Sequence, residues 1–444
     1  MGQISEAKLE LVRSLIEQAP DDAVRNLLLA LSADGGRDGG LSKVQRMVEC
    51  EASERRARNL TFAPVAPLCA PPSAFGGLRF PPRTLSLIWN ALKAEAGEDL
   101  AAARARADDW RGPESSADVF DALCARVVRG LREEDPAFAP SAAAADAGAG
   151  RSVLALALEI APLVRRALDQ MPEWLGRMNS EKAAKLRLTY RDVVAVAEDA
   201  GPLFFEMLAA HLTEPWLILR IISGEMDRPN EAYVSGSELA VFGERVLSDI
   251  DRRLAALTEF HPASGPAGAR AAAEAAHATT VEIAEVEQSI NVSPTGPWGS
   301  RLARQKKTLA ATVEAHLKAA DAAVGLALPL QTVRLGPRTA RGVPKLMQDP
   351  DPEKVAKATA LLTFISEVRT SAAAGGFASA RAKAVEGLEE RLDSYVEDVL
   401  EEIRSGEDEH RDRARAFLDI AAGFCGLVRD EKAAQIVRRR AAAA

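Results

Sequence analysis

The chain has 444 residues, a formal net charge of −8, 47% hydrophobic residues and 27% charged residues. These proportions are those of globular proteins and exclude wholesale disorder, while the acidic balance argues against a general nucleic-acid binder. Aromatics make up only 5% and the apolar fraction leans on alanine and leucine, so helix is favoured over strand and the expected fold class is all-α.

Met1–Pro20 reads as an amphipathic, acid-containing helix and not as a secretory leader. Residues 4–58 form three helices in this reading. Asp21 caps the second, which carries Val24, Leu27, Leu28 and Leu31, and the glycine-rich turn Asp34–Gly40 precedes the third, from Ser42 to about Arg58. Residues 59–82 are rich in proline and cannot be regular helix. They are also apolar, with Phe62, Val65, Leu68, Phe75, Leu78 and Phe80, so an ordered, extended segment packed on a helical surface is expected. A docking segment for a partner is the alternative. Helices resume over Thr84–Ala96, 97–110 and 116–134, closing an N-terminal domain of residues 1–134. Residues 135–150, rich in alanine and glycine, are expected as a flexible linker and a domain boundary.

A hydrophobic central domain is expected over 151–260. Its apolar stretch Val153–Val164 is too short to span a bilayer, and 203–223 reads as two central helices broken at Glu214–Pro215. Ser235 and Glu238 match a capping box for the helix ending near Phe260. Residues 269–328 are expected as a long αα-hairpin, with Glu282, Glu285 and Glu287 facing Arg301, Arg304, Lys306 and Lys307 across its turn. A basic loop follows at 329–349, carrying Arg334, Arg338, Arg341 and Lys345. Three stripes of apolar residues at 3-4 spacing over 350–444 predict a C-terminal three-helix bundle: Val355, Ala358, Leu362 and Ile365; Val385, Leu388, Leu392, Tyr395 and Val399; and Ala414, Phe417, Ala421, Phe424 and Val428. The whole is thus read as packed αα-hairpins in an irregular, α-solenoid-like arrangement, with no array signature recurring.

Chemistry-bearing motifs are sparse. Gly35–Lys43 lacks the spacing and the preceding strand of a phosphate-binding loop. Glu274-x-x-His277 and Glu407-x-x-His410 have the spacing used in di-metal bundles, but neither sits in an apolar layer. The four cysteines, Cys50, Cys69, Cys124 and Cys425, form no paired motif and read as free thiols in a reducing compartment. No catalytic residue, cofactor or metal is expected. The leading expectation is a cytoplasmic bacterial scaffold or adaptor that binds protein partners through helical faces and the two irregular segments, with Phe62, Phe75, Phe80, Arg334, Arg338, Arg341 and Lys345 as contact residues. The alternatives are an enzyme with a dispersed site around His211, Glu206 and Glu214, and a nucleic-acid binder using the arginines of 334–345.

Overall fold

The computed structural model describes residues 11–13, 15–16, 19–33, 41–71, 73–112, 115–226, 229–334, 340–405 and 410–444. The described residues are 78% helical with almost no strand. It divides into two compact units, Met1–Arg228 and Pro229–Ala444. Among the described residues no single helix is long and apolar enough to cross a membrane.

Unit 1 begins with a small cluster in which Ile16, Val24 and Val48 are buried. Helix α1 (Asp21–Ala33) packs here on helix α2 (Leu41–Phe62). Asp21 stands in the first turn of α1, and its carboxylate accepts from Arg55 at 2.8 Å and Asn59 at 3.2 Å. Arg55 also donates to the carbonyls of Ile16 (2.9 Å) and Ala19 (2.7 Å), so one guanidinium satisfies the carbonyl end of the preceding helical turn. Leu9 and the turn 34–40 lie outside the described residues.

Helix α2 runs on to Phe62, four residues past its expected end at Arg58. A turn and a short 3₁₀ helix (Ala66–Cys69) follow, then a second turn at Ala74–Phe75 and irregular chain from Gly76 to Pro81. Phe62 and Phe80 are 1% and 2% exposed, and Val65 and Leu68 are buried with them. Both ends of the Pro-rich segment thus contribute to the interior of unit 1, while Ala70, Pro71, Ser73, Ala74 and Gly76 are exposed. Helices α3 (Thr84–Glu95), α4 (Gly97–Asp108) and α5 (Asp118–Arg132) come next. In α5 Phe120, Leu123, Cys124, Val127, Val128 and Leu131 are buried, the three- and four-residue spacing of one helix face.

The expected linker at 135–150 is not one. Pro136–Phe138 is a 3₁₀ turn, Ala139–Asp146 is helix α6, and Phe138, Ala142, Ala144 and Ala145 are buried. Small side chains here let backbones approach closely; Gly130 of α5 lies directly under the Phe138 ring. The domain boundary expected there moves accordingly. Helix α7 (Arg151–Leu175) packs on α5, and its Arg165 donates to the carbonyls of Leu60 (2.6 Å) and Thr61 (3.1 Å) at the end of α2. The apolar stretch Val153–Val164 is the buried face of α7. Helices α8 (Ser180–Val194), α9 (Ala200–His211) and α10 (Ile218–Glu225) complete the unit, with the break expected at Glu214–Pro215 occupied by a 3₁₀ turn.

Unit 2 contains helices α11 (Glu231–Ser235), α12 (Ala240–Thr258), α13 (Gly265–Ser289) and α14 (Pro297–Ala327). A hairpin of strands β1 (Leu330–Arg334) and β2 (Ala340–Pro344) follows, then α15 (Pro352–Glu367), α16 (Ala378–Ser405), α17 (Arg411–Val428) and α18 (Glu431–Ala443). The capping box expected at Ser235 and Glu238 does not form: Ser235 ends α11, and Asn230 Oδ1 instead caps that helix, accepting from Tyr233 N at 2.9 Å. Helix α12 thus starts within the domain boundary expected at 260, and belongs wholly to unit 2.

The expected αα-hairpin is replaced by a four-helix ring. Helix α12 packs on α13, α13 on α15, α15 on α14 and α14 back on α12, which leaves the long helices α13 and α14 across a diagonal. The reason lies in α15. It is buried at Ala358, Ala360, Leu361, Leu362, Phe364 and Ile365, on more than one face, and such a helix needs neighbours on several sides. It takes the place between the two long helices. Of the charge pairs expected across the turn, Lys306 meets Glu287 at 2.8 Å. Glu282 and Glu285 are buried, and Arg301 bonds Glu244 and Asp251 of α12 instead. Of the helices expected in a C-terminal bundle, α17 packs on both α15 and α16, and α18 packs on α17. The third expected helix divides at Asp430, which caps α18 by accepting from Ala433 N at 2.9 Å.

Candidate functional site

The basic loop expected at 329–349 is a β-hairpin. Its strands pair antiparallel from Leu330 opposite Pro344 to Arg334 opposite Ala340. Thr332, Val333 and Val343 favour this state, because β-branched side chains suit a pleated surface. Gly336 and Pro337, which separate the strands in sequence, are the corresponding turn signal. Gln331 and Val343 form one cross-strand pair and Val333 and Arg341 the next but one, so all four share a face. That face is turned to the helices: Arg341 donates to Asp398 at 2.7 Å and Glu401 at 2.8 Å of α16.

Between hairpin and helices lies a cleft of about 260 Å³. Gln331, Val343 and Met347 line one side, and Glu402, Ile403, His410 and Arg411 the other. His410 Nδ1 is buried there without a hydrogen-bond partner among the described residues. Around the cleft, Met347 is 61% and Leu330 48% exposed. Among the described residues no third strand covers either outer edge of the hairpin.

The expected contact residues divide sharply. Phe62 and Phe80 are core side chains and present no surface, which corrects their assignment as partner contacts; Phe75 is half-buried. Arg341 lies on the hairpin with its charge already matched by Asp398 and Glu401. Lys345 extends the ladder by its backbone, N–H to Pro329 O at 3.0 Å. The backbone of Arg334 belongs to β1, and Arg338 lies outside the described residues. The arginines of α18 are similarly engaged: Arg438 pairs with Asp419 and Glu431, and Arg440 with Glu397. The cleft residues Gln331, Met347, Glu402, Ile403 and His410 were not legible as a set, because they come from three elements whose meeting is tertiary.

Of the residues expected in a dispersed site, His211 and Glu206 each bond to the Pro-rich segment. His211 Nε2 donates to Pro64 O at 3.2 Å, Glu206 accepts from Leu78 N at 3.2 Å, and Glu214 is exposed. The first two hold the Pro-rich segment on α9. Burial lowers the affinity of the His211 ring for a proton, and the bond to Pro64 only partly opposes this. In the unfolded chain the ring titrates at its ordinary value of 6.5, so the unfolded state takes up the proton first as the pH falls. The stabilisation is complete above that value and is lost as the pH drops through the lowered one. His211→Gln is therefore expected to flatten the fall in melting temperature of the full chain between about pH 7 and about pH 5; a slope identical to that of the unaltered protein would refute the assignment.

Glu274 and His277 point outward from α13, His277 meeting Ser371 Oγ at 2.9 Å, and Glu407 lies outside the described residues. Among the described residues no group of three or more His, Cys, Asp or Glu side chains is placed to hold a metal ion. Cys69, Cys124 and Cys425 are buried free thiols and Cys50 is an exposed one. No family model, curated protein or solved structure matches this chain.

Proposed function

We propose that this protein is a non-catalytic scaffold or adaptor, and that the hairpin Leu330–Pro344 with its cleft is the place where a protein partner docks. The observation that carries this reading is the hairpin itself. In a helical protein whose other long irregular segment buries its Phe62, Val65, Leu68 and Phe80 side chains, this one stands with Leu330 and Met347 exposed and, among the described residues, no third strand paired to either edge. A free strand edge offers unpaired N–H and C=O groups to an extended segment of another chain. The cleft beside it offers apolar walls and a His410 nitrogen with no partner among the described residues to a side chain of that segment. In this reading the four free cysteines fit a reducing, cytoplasmic setting. The engagement of Arg341 by two carboxylates counts against use of the hairpin as a phosphate-binding surface.

The test is a pull-down with the full chain, read by mass spectrometry, alongside two variants. One replaces 329–349 by a short Gly/Ser connection, and the other is the double substitution Leu330→Asp, Met347→Asp. Both are expected to lose a partner that the unaltered chain captures at near-stoichiometric amounts, with the helical circular-dichroism signal unchanged. Capture that survives both changes would remove the hairpin from the docking role.

A further inference from the structure

At the seam of α12 and α13, Glu282 is completely buried, at 0% exposure, and Asp249 stands beside it. Arg253 Nε lies 2.7 Å from Glu282 Oε1 and 2.8 Å from Asp249 Oδ2. A single N–H serves one acceptor well, and the aligned bond goes to Asp249. Arg252 Nε adds a second bond to Asp249 Oδ1 at 3.0 Å. Neither oxygen of Glu282 accepts an aligned hydrogen bond from a described residue.

An ionised carboxylate in that position would be desolvated with no aligned hydrogen bond and with only the Arg253 charge beside it, which Asp249 shares, a costly arrangement. A protonated carboxyl supplies a donor of its own, and the acceptor beside it is the ionised Asp249. We propose that Glu282 and Asp249 share one proton, and that this proton holds the α12–α13 seam closed, so that the helix ring of unit 2 loosens locally when the proton is lost in mildly alkaline solution. The proton leaves from the Glu282–Asp249 hydrogen bond to solvent base and leaves two like charges facing each other, with Arg253 between them.

The surroundings agree. Burial pushes the Glu282 carboxyl up to about 8, with Arg253 only partly opposing and Asp249 reinforcing. Asp249 is also buried, but the hydrogen bond from Arg252 and the charge of Arg253 hold it below its ordinary value. The groups that face Glu282 from α12 are Asp249 and Arg253, with Arg252 behind. On its own helix Glu285 accepts from Ser289 Oγ at 2.6 Å, one turn on. From α15, Glu353, Lys354 and Lys357 are exposed to solvent and Glu367 pairs with Arg270. From α14, Arg304 and Lys307 are exposed and Lys306 pairs with Glu287.

Because the folded value lies above the ordinary 4.5, the folded state binds one proton more than the unfolded state between the two. The stabilisation is complete below the lower value and is lost as the pH rises through about 8. The experiment uses the full chain and Glu282→Gln, which keeps a donor toward Asp249 and cannot ionise. Two readouts are taken from about pH 6 to about pH 9.5: the infrared carbonyl band of protonated carboxyls, and amide hydrogen exchange in peptides covering Asp249 and Glu282, corrected for intrinsic exchange.

Expected for the unaltered chain are a protonated-carboxyl band at neutral pH that fades with a midpoint near 8, and exchange at the seam that rises about tenfold across it. Glu282→Gln is expected to lack the band and to show no such rise. A neutral-pH spectrum identical in the two proteins, or an equal rise in exchange in both, would overturn the proposal. Should Glu282→Gln fail to fold, the band of the unaltered chain decides alone: present and fading near that midpoint supports the shared proton, absent at neutral pH sinks it.

Discussion

Phe138→Ala is expected to lower the stability of unit 1 by about 3–5 kcal/mol, the range for emptying a buried phenylalanine site. The residue lies in an alanine- and glycine-rich stretch whose composition resembles a linker, yet its ring is 1% exposed. It is positioned twice. Asp135 Oδ1 accepts from Ala137 N at 3.0 Å, which starts the turn that carries the ring. Gly130 of α5 then lets it approach, since a Cβ at that position would stand 2.3 Å from Phe138 Cδ2. The same contact makes Gly130→Val destabilising from the other side, by overpacking that costs about 1–3 kcal/mol. Urea denaturation of the full chain followed by tryptophan fluorescence is the measurement. Trp89, Trp110, Trp174 and Trp216 all lie in unit 1 and report its transition. An unchanged midpoint for Phe138→Ala would return the segment to the status of a linker.

The second large effect belongs to Glu231. Its carboxylate is buried, and accepts from Ser293 N at 2.8 Å and from Trp298 N at 2.7 Å. Trp298 N is one of the free N–H groups at the start of α14, where a negative charge is favoured. One side chain on a five-residue helix thus closes the turn Asn291–Gly296 and caps a 31-residue helix. The fit is close: a Cβ on Gly296 would meet Glu231 Oε1 at 2.2 Å. Glu231→Ala leaves the buried Trp298 N–H and the partly buried Ser293 N–H without their acceptor; a fully buried donor costs about 1–3 kcal/mol and the partly exposed one less, so a loss of about 2–4 kcal/mol is expected. Glu231→Gln, which retains one acceptor oxygen, should recover about half of it. Melting followed by Trp298 fluorescence, with the tryptophans of unit 1 replaced by phenylalanine, isolates the transition of unit 2. Equal stabilities of Ala and Gln variants would show that packing and not the carboxylate matters there.

These two sites have a common form. Each is a short, irregular piece of chain whose polar backbone is satisfied by one buried side chain from a neighbouring element, as Arg55 and Arg165 do for helix carbonyl ends elsewhere in unit 1. The hairpin Leu330–Pro344 differs. Arg341 ties it to α16 from one face, while the Leu330 and Met347 side chains are exposed and no third strand among the described residues pairs with its edges. That contrast is why the docking proposal rests on the hairpin and not on the Pro-rich segment, where Glu206 and His211 complete the packing inward.

Most helices were determined by the sequence alone, because their information is local, though α6 was not. The break at Pro215 and the stripes of Leu388–Val399 and Ala414–Val428 each follow from a 3.6-residue period or a missing N–H, and the apolar content of 59–82 already implied ordered packing. What only the tertiary structure decided is pairing. Glutamates at 282, 285 and 287 and basic residues at 301–307 look complementary along the chain, but α15, apolar on several faces, gains more by entering between α13 and α14 than exposed ion pairs return. Low complexity at 135–150 was likewise ambiguous, since alanine and glycine serve a linker and a tight helix contact equally well until Phe138 is seen to need one. The candidate site was half legible: the segment was, through its proline, glycine and basic residues, while its cleft was not. Glu402 and His410 gain their meaning only from a hairpin that packs across α16 and α17, a long-range contact no local pattern encodes.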